Sequence, residues 1–346
     1  MWVRIISHLR ADEQLPAADC SAAGFFIFAD GTEINMWSGR RYHSLDHYLK
    51  VHFGEKLYKL SLDGGMTCPN RDGKISVGGC IFCSAEGSGD FAAKHTEDIS
   101  QQLEAAKALV AEKYSGSRYI AYFQSFTNTY ADVSYLRELF MPVIRRDDIA
   151  VLDIATRPDC LEEEKLELIA ELAGIKPVWV ELGLQTSSDN TAELINRGYR
   201  TEIYSDAVKQ LHGCGAQVIT HMIIGLPGET REDMLATARY IADCGSDGIK
   251  LQLLHILRGT KLYEMYRNGK AAALSEEEYI SAVCDIISVL PENMVIHRLT
   301  GDGDKRLLEA PLWSCNKRRV LNLISHELKQ KGIIQGQRDV SPYITT

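Results

Sequence analysis

The 346-residue chain has no apolar run approaching the roughly 20 residues that span a bilayer, and no tract of low complexity. The stretch Gly24-Phe25-Phe26-Ile27-Phe28-Ala29 is too brief for the core of a signal peptide, and it lies too far in, behind acidic residues. Membrane spanning and export are both excluded on this reading, so the chain is expected in the cytoplasm. In that reducing compartment its nine cysteines are expected as thiols or metal ligands, not disulfides. A basic excess is missing too. With a formal net charge of −9 the surface as a whole repels phosphate backbones, and any nucleic-acid role needs a local basic patch.

What is present is ordinary globular composition, 45% hydrophobic and 25% charged, with enough apolar side chain for a sizeable core. From Lys56 onward short apolar runs alternate with amphipathic segments. The strand candidates are Lys56–Leu62, Arg118–Gln124, Ile149–Ala155, Val178–Leu184, Gln217–Ile224 and Gly248–His255; from the second onward their starts fall 31, 29, 39 and 31 residues apart. Near-continuous apolar strands at this spacing predict a parallel sheet covered by helices. The clearest helices are 98–114, 162–172, 203–214 and 231–242. About six βα units predict an α/β fold, a partial (β/α)6 TIM-type barrel, with an open doubly wound sheet as the rival. In either, chemistry belongs at the carboxyl ends of the strands. A helix over 275–290, a strand over 295–299 and a basic helix over 316–331 predict a C-terminal α/β extension, residues 291–346, packed on a core of residues 36–290. Residues 1–35 show no sustained periodicity. They are expected to be disordered or an over-extended start, with a small capping element as the alternative.

After the first strand the chain carries Cys68, Cys80 and Cys83, a C-x11-C-x2-C spacing in a loop rich in Gly, Pro, Asn and Asp. A structural zinc site needs a fourth ligand, and His95 is the one candidate close in sequence. Three thiolates on a [4Fe–4S] cluster would leave one iron open for a substrate or cofactor. On spacing alone both readings stand, beside a third in which the thiols are merely buried. Cys20, Cys160, Cys214, Cys244, Cys284 and Cys315 form no short-spaced pair and read as small buried hydrophobes.

The triplet, with Phe82 immediately before its last cysteine, resembles the cluster loop of radical S-adenosylmethionine (SAM) enzymes. The long first gap is similar to that of the Elongator catalytic subunit and of the bacterial YhcC/YtqA group. The stretches Leu60-Ser61-Leu62-Asp63-Gly64-Gly65, Ala155-Thr156-Arg157-Pro158-Asp159, Gly183-Leu184-Gln185-Thr186 and His297-Arg298-Leu299-Thr300-Gly301-Asp302 resemble the bacterial group, as does Ala310-Pro311-Leu312-Trp313-Ser314. The similarity runs from about Arg41 to about Gly336, making residues 36–290 a radical SAM core.

The resemblance implies a [4Fe–4S] cluster on Cys68, Cys80 and Cys83. It implies that SAM, bound at the open iron, is cleaved reductively to a 5′-deoxyadenosyl radical, with electrons from a donor such as flavodoxin or ferredoxin. It also implies SAM contacts: Phe82 near the adenine; Ser125 and Thr127 where relatives carry a Gly-Gly-Glu segment; Gln185 and Arg197, spaced as in the oxygen-independent coproporphyrinogen oxidase group; His221; and Gly225 in the turn Ile224-Gly225-Leu226-Pro227-Gly228-Glu229. For substrate it implies tRNA, with carboxymethylaminomethyluridine at the wobble position trimmed to aminomethyluridine, and contacts from Arg258, His297, Arg298 and Asp302. Trp313 reads as core or as a base-stacking platform. Residues 291–340 hold nine Lys/Arg against six Asp/Glu, a local +3 that favours phosphate. The alternatives are a radical SAM enzyme acting on a small molecule or protein, and a non-catalytic zinc protein.

Overall fold

The computed structural model describes residues 19–21, 25–27, 33–85, 87, 96, 98–112, 114, 116–301 and 303–337. Near the start, β1 (Asp19–Ser21), β2 (Phe25–Ile27) and β3 (Glu33–Asn35) pair antiparallel. The rest of the 1–35 segment lies outside the described residues. Then come β4 (Tyr58–Leu62), β5 (Tyr119–Phe123), β6 (Ile149–Thr156), β7 (Val178–Gln185), β8 (Gln217–Ile224) and β9 (Gly248–Leu253). After β9 come β10 (Ile256–Leu257), β11 (Val295–Arg298) and β12 (Leu308–Ala310).

The main sheet has the order β11-β9-β8-β7-β6-β5-β4, every neighbouring pair parallel, and it curls into a half-barrel. The expected partial TIM-type barrel is therefore present, with a seventh strand beyond the six. The segment read as an extension contributes that strand: β11 is hydrogen-bonded beside β9, while β10 and β12 form a separate antiparallel pair.

Parallel neighbours cannot be joined by tight turns, so helices make the returns. Leading the barrel is α1 (Leu45–Phe53). The crossovers are α2 (Ile99–Val110), α3 (Val133–Ile144), α4 (Glu163–Ala173), α5 (Asp189–Leu194) with α6 (Thr201–Gly213), α7 (Arg231–Asp243), and α8 (Lys261–Arg267) with α9 (Glu276–Val289); α10 (Lys317–Gln330) follows. Local sequence fixes several starts. Thr230 with Asp233, and Ser275 with Glu278, form reciprocal capping boxes that satisfy otherwise orphaned amides at the starts of α7 and α9.

Side chains alternate across each strand, so the two faces of the sheet diverge. On the outer face Leu60, Phe123, Ile154, Val180 and Val218 share one core with Leu136, Phe140, Leu168 and Leu211 of the helices. On the inner face three layers succeed one another at intervals of two residues. Leu57, Ile120, Val151, Trp179 and Ile219 form an apolar floor closed by Leu49 of α1. Above them stand Lys59, Tyr122, Asp153, Glu181 and His221, with Lys250 of β9 beside them. Ser61, Gln124, Ala155, Gly183, Ile223 and Gln252 come next and open into a cavity. The inner face is filled in layers as in closed barrels, but its middle layer is ionic.

The free side of β11 is covered by the chain itself. Ile296 N–H donates to His43 O (2.7 Å), and Ser44 forms a parallel bridge with Ile296. Buried Gln335 ties this edge down: its amide donates to the carbonyls of Pro291 (2.7 Å) and Met294 (2.8 Å), and its Oε1 accepts from His43 N–H (2.8 Å).

Leu49 is the buried residue by which α1 seals the floor, so Leu49→Ala is expected to lower stability by about 2–5 kcal/mol, measured by denaturant unfolding.

Candidate functional site

A cavity of ≈ 380 Å³ opens at the carboxyl ends of the strands. Cys68, Cys80 and Cys83 all line it. The eleven residues between Cys68 and Cys80 fold back on themselves rather than trailing free. Arg71 N–H donates to Cys68 O (2.8 Å), Ile75 N–H to Pro69 O (2.9 Å) and Gly79 N–H to Asn70 O (2.8 Å), with an antiparallel bridge between Asp72 and Val77. Fully buried Asn70 then fastens this fold to the turn after α5. Its amide donates to Asn196 O (2.5 Å), while Asn196 Nδ2 donates to Gly79 O (2.8 Å). Gly198, at φ +84°, has to be glycine, because a Cβ there would meet Asn70 Oδ1 at 2.5 Å.

Arg197 lies in that turn, and its fork is fully engaged. It donates to the carbonyls of Leu184 (2.9 Å), Thr186 (2.7 Å) and Tyr199 (3.0 and 3.1 Å) and to Thr201 Oγ1 (2.9 Å), and it pairs with Asp189 (3.4 Å). The resemblance expects Arg197 at SAM; in the structure its donors are taken up by these protein acceptors. Although it lines the cavity, a buried guanidinium with five donors saturated holds the end of β7 and the cysteine loop in place. Arg157, not singled out from sequence except as part of a resemblance, lines the same cavity. It is paired to Asp159 (2.7 and 2.9 Å) and donates to Arg197 O (2.9 Å). Burial pushes the Cys80 thiol up to about 12, helped by the neighbouring Cys83; the charge of Arg157 works in the opposite direction. Among the described residues no three His, Cys, Asp or Glu side chains converge closely enough to hold a single metal ion.

Of the other expected cofactor contacts, Phe82, Thr127, Gln185 and His221 line the cavity. Gln185 adopts φ +64°, a left-handed conformation uncommon outside glycine, where the register of β7 on β8 shifts. Its amide folds over Gly183, where a Cβ would meet Nε2 at 2.6 Å. Ser125 and Gly225 do not reach the cavity. Ser125 is buried, its hydroxyl without a hydrogen-bond partner among the described residues, and Gly225, at φ +91°, turns the chain against Leu274. Of the expected substrate contacts, Arg298 lines the cavity. His297 points to the floor instead, edge-on to Trp179 with ring centroids 5.1 Å apart. Arg258 is half exposed and donates to Arg306 O, away from the lining. Asp302 and His95 lie outside the described residues. Trp313, partly buried, packs on Tyr279 and donates its indole N–H to Leu274 O (3.1 Å), which ties it to the edge of the core.

The middle layer went unread in the sequence except for His221. Glu181 accepts from Lys59 (2.7 Å), His221 Nε2 (2.7 Å) and Lys250, and Lys59 also reaches Asp153 (2.5 Å). Lys250 donates further to Tyr122 Oη (3.1 Å). Burial resists ionisation of Glu181, but Lys250, Lys59 and His221 hold its carboxyl well below the usual range. Burial and the charge of Glu181 push Asp153 up to about 7, so Asp153 is the first of the two carboxylates to take a proton. Burial, with Lys59 and Arg298 behind it, brings Lys250 down to about 7. Burial and Lys250 likewise lower His221, consistent with a neutral ring that donates Nε2–H to Glu181 and accepts Gln252 Nε2 at Nδ1 (3.1 Å). A signal was available: a lone charge inside each apolar strand run, as in Val-Leu-Asp153-Ile or Val-Trp-Val-Glu181-Leu.

With this geometry in place, similar proteins are informative. The pattern of the radical SAM superfamily matches residues 68–241, and that of the radical SAM C-terminal domain matches residues 246–330. The protein YtqA of Bacillus subtilis is 47% identical over 298 residues, 86% of this chain and 92% of that protein. A tRNA uridine(34) acetyltransferase of Methanocaldococcus jannaschii is 30% identical over 154 residues, 44% of this chain and 28% of that protein. Among solved structures, the archaeal Methanocaldococcus infernus Elp3 with an N-terminal deletion shares the fold, with a TM-score of 0.62 at 19% identity. That match covers 81% of this chain and 64% of the other.

Two outcomes follow for the ionic layer. Glu181→Gln removes the anion shared by two buried ammonium groups and is expected to lower stability by about 3–5 kcal/mol in denaturant unfolding. The unfolded chain keeps the Lys250 proton up to its ordinary 10.5, whereas the folded chain loses it near about 7. Stability from this group therefore rises with pH, and the unfolding free energy of wild type relative to Lys250→Met is expected to climb between about pH 7 and about pH 10.

Proposed function

We propose a function from the premise that this chain belongs to the radical SAM superfamily, within the YhcC/YtqA group related to the Elongator catalytic subunit: it modifies the wobble uridine of tRNA. The family works with a [4Fe–4S] cluster and SAM, and the chain is a radical SAM enzyme. When bound, the pair supplies a 5′-deoxyadenosyl radical that takes a hydrogen atom from substrate.

The residues present fit those groups. Cys68, Cys80 and Cys83 are the thiolates we assign to the cluster, because all three line the same cavity in a loop held by Asn70 and Arg197. Arg157, whose charge favours the Cys80 thiolate, would stand beside a cluster held there. For SAM we assign Phe82, Thr127 and Gln185 to the wall of its site. Ser125, Gly225 and Arg197 act behind that wall. The protein's own work is to orient the cofactor and exclude water; the half-barrel suits this with an apolar floor and a cavity at the strand ends.

The single observation that carries the tRNA reading is similarity to proteins named for uridine-34 of tRNA, supported by the Elp3 fold. The substrate we assign is carboxymethylaminomethyluridine, trimmed to aminomethyluridine, with electrons from a flavodoxin- or ferredoxin-type donor. Exposed Arg318 and Lys305 suit phosphate contacts, whereas Arg306 and Arg319 are paired with Asp304 (2.7 Å) and Glu276 (2.7 Å).

Anaerobic reconstitution is expected to give about four irons per chain and 5′-deoxyadenosine from SAM with a reductant. Cys68→Ala, Cys80→Ala or Cys83→Ala should abolish both, while Cys160→Ala and Cys284→Ala keep the iron. Equal iron loss in the two sets would refute the ligand assignment. Nucleoside mass spectrometry of tRNA from a deletion strain is expected to show carboxymethylaminomethyluridine accumulating, and unchanged wobble nucleosides would refute the substrate.

A further inference from the structure

His221 lines the cavity, yet both its ring nitrogens are spent inside the protein: Nε2–H donates to Glu181 (2.7 Å) and Nδ1 accepts from Gln252 Nε2 (3.1 Å). The first bond fixes the direction of the second. Glu181 is an ionised carboxylate held by Lys59 and Lys250 and can only accept, which places the imidazole proton on Nε2. A neutral ring then keeps a lone pair at Nδ1, and Gln252 has to turn its amide nitrogen toward it. The carbonyl end of that amide is thereby left for something else. Gln252 lines the cavity, and among the described residues its Oε1 accepts no hydrogen bond.

The surroundings point to the kind of group that this oxygen meets. Gln252 pairs in register with Ile223, which lines the cavity beside it, and Leu254 and Leu257 line it further along the same segment. Ser61, Gln124, Ala155 and Gly183, the rest of that layer, are uncharged. An ammonium would be poorly solvated by one neutral amide among apolar side chains. The edge of a flat heterocycle, by contrast, needs a single acceptor for its N–H and apolar contact on its faces.

We propose that Gln252 is a specificity residue of the cavity, presenting its carbonyl oxygen to a ring N–H of the substrate, and that His221 is the positioning residue that sets this polarity. The identity of the donor rests on the wobble-uridine reading: it is then the imide N3–H of the base, and a methyl group at N3 removes it. The adenine amine of SAM carries a donor of the same kind, and the test separates the two sources.

The test uses the reconstituted full chain with SAM present and two anticodon stem-loops that differ in the wobble base alone, uridine in one and 3-methyluridine in the other. Calorimetry is expected to show about ten-fold tighter binding of the uridine stem-loop, the effect of one buried hydrogen bond. Gln252→Leu should remove most of that preference, and Gln252→Glu, which keeps an oxygen acceptor at the same reach, should retain it. SAM affinity, titrated separately, should be unchanged in both variants. With histidine labelled by nitrogen-15, wild-type His221 is expected as the Nε2–H tautomer; this reading and the wild-type preference hold whether or not a variant folds. A proton on Nδ1 would turn the amide round and overturn the inference. Equal binding of the two stem-loops by wild type, or a preference that survives in Gln252→Leu, overturns it as well and leaves the tRNA reading standing. Weaker SAM binding by Gln252→Leu places the acceptor at the adenine and overturns the substrate contact. If neither stem-loop binds wild type, the tRNA reading itself fails and the N3–H assignment falls with it.

Discussion

Glu181 is the pivot of the barrel interior. Three donors from three strands, Lys59, His221 and Lys250, converge on one carboxylate that solvent does not reach. Each of those charges would be strongly unfavourable in an apolar barrel if left alone. Together they fix which way the inner side chains of β4, β7, β8 and β9 point, because a register slip of one residue would turn the set outward into the helix-packed core. The layer beneath them can be wholly apolar and the layer above can be small and polar. That gradient makes a half-barrel dry at one end and receptive at the other.

The second organising contact joins loop to loop. The cysteine segment is irregular, with no ladder to define it, yet it is seated through Asn70 on the carbonyls of Asn196 and Arg197. Arg197 in turn binds the carbonyls at the end of β7. The position of the thiols thus depends on a strand three βα units away. Strained residues collect along this path, with Phe126, Gln185 and Asn196 all at positive φ. Such conformations persist where neighbouring contacts over-determine them, which is the condition for a pre-organised site.

Much of this was legible in one dimension. Parallel strands buried on both faces leave long apolar runs, and all six expected strands appear with ends shifted by only a few residues. The cysteine spacing announced itself, and Phe82, Thr127, Gln185, His221 and Arg298, named from the sequence, line the cavity. Other features were not legible because they are made by distance in the chain. α3 ends across Pro142, a helix-breaking residue that masks its pattern, and α1 shows a single buried residue. β11 reads locally as part of a trailing extension, and only hydrogen bonds to residues nearly fifty positions earlier make it a sheet strand. Arg197 looked like a ligand-binding fork because sequence reveals a guanidinium but not the five acceptors already around it. The ionic layer was hidden the same way: each lone charge in a strand reads as an interruption until its partners on other strands are seen.

The stitch between Gln335 and the segment around His43 bears on where this protein tolerates being cut. Without it β11 would present a bare row of amides and carbonyls, a ready template for strands of other molecules. The C-terminal residues therefore also act as an anti-aggregation seam. Truncating the chain before Gln335 would first cost colloidal stability and leave the distant chemistry of the thiols intact until the sheet edges associate.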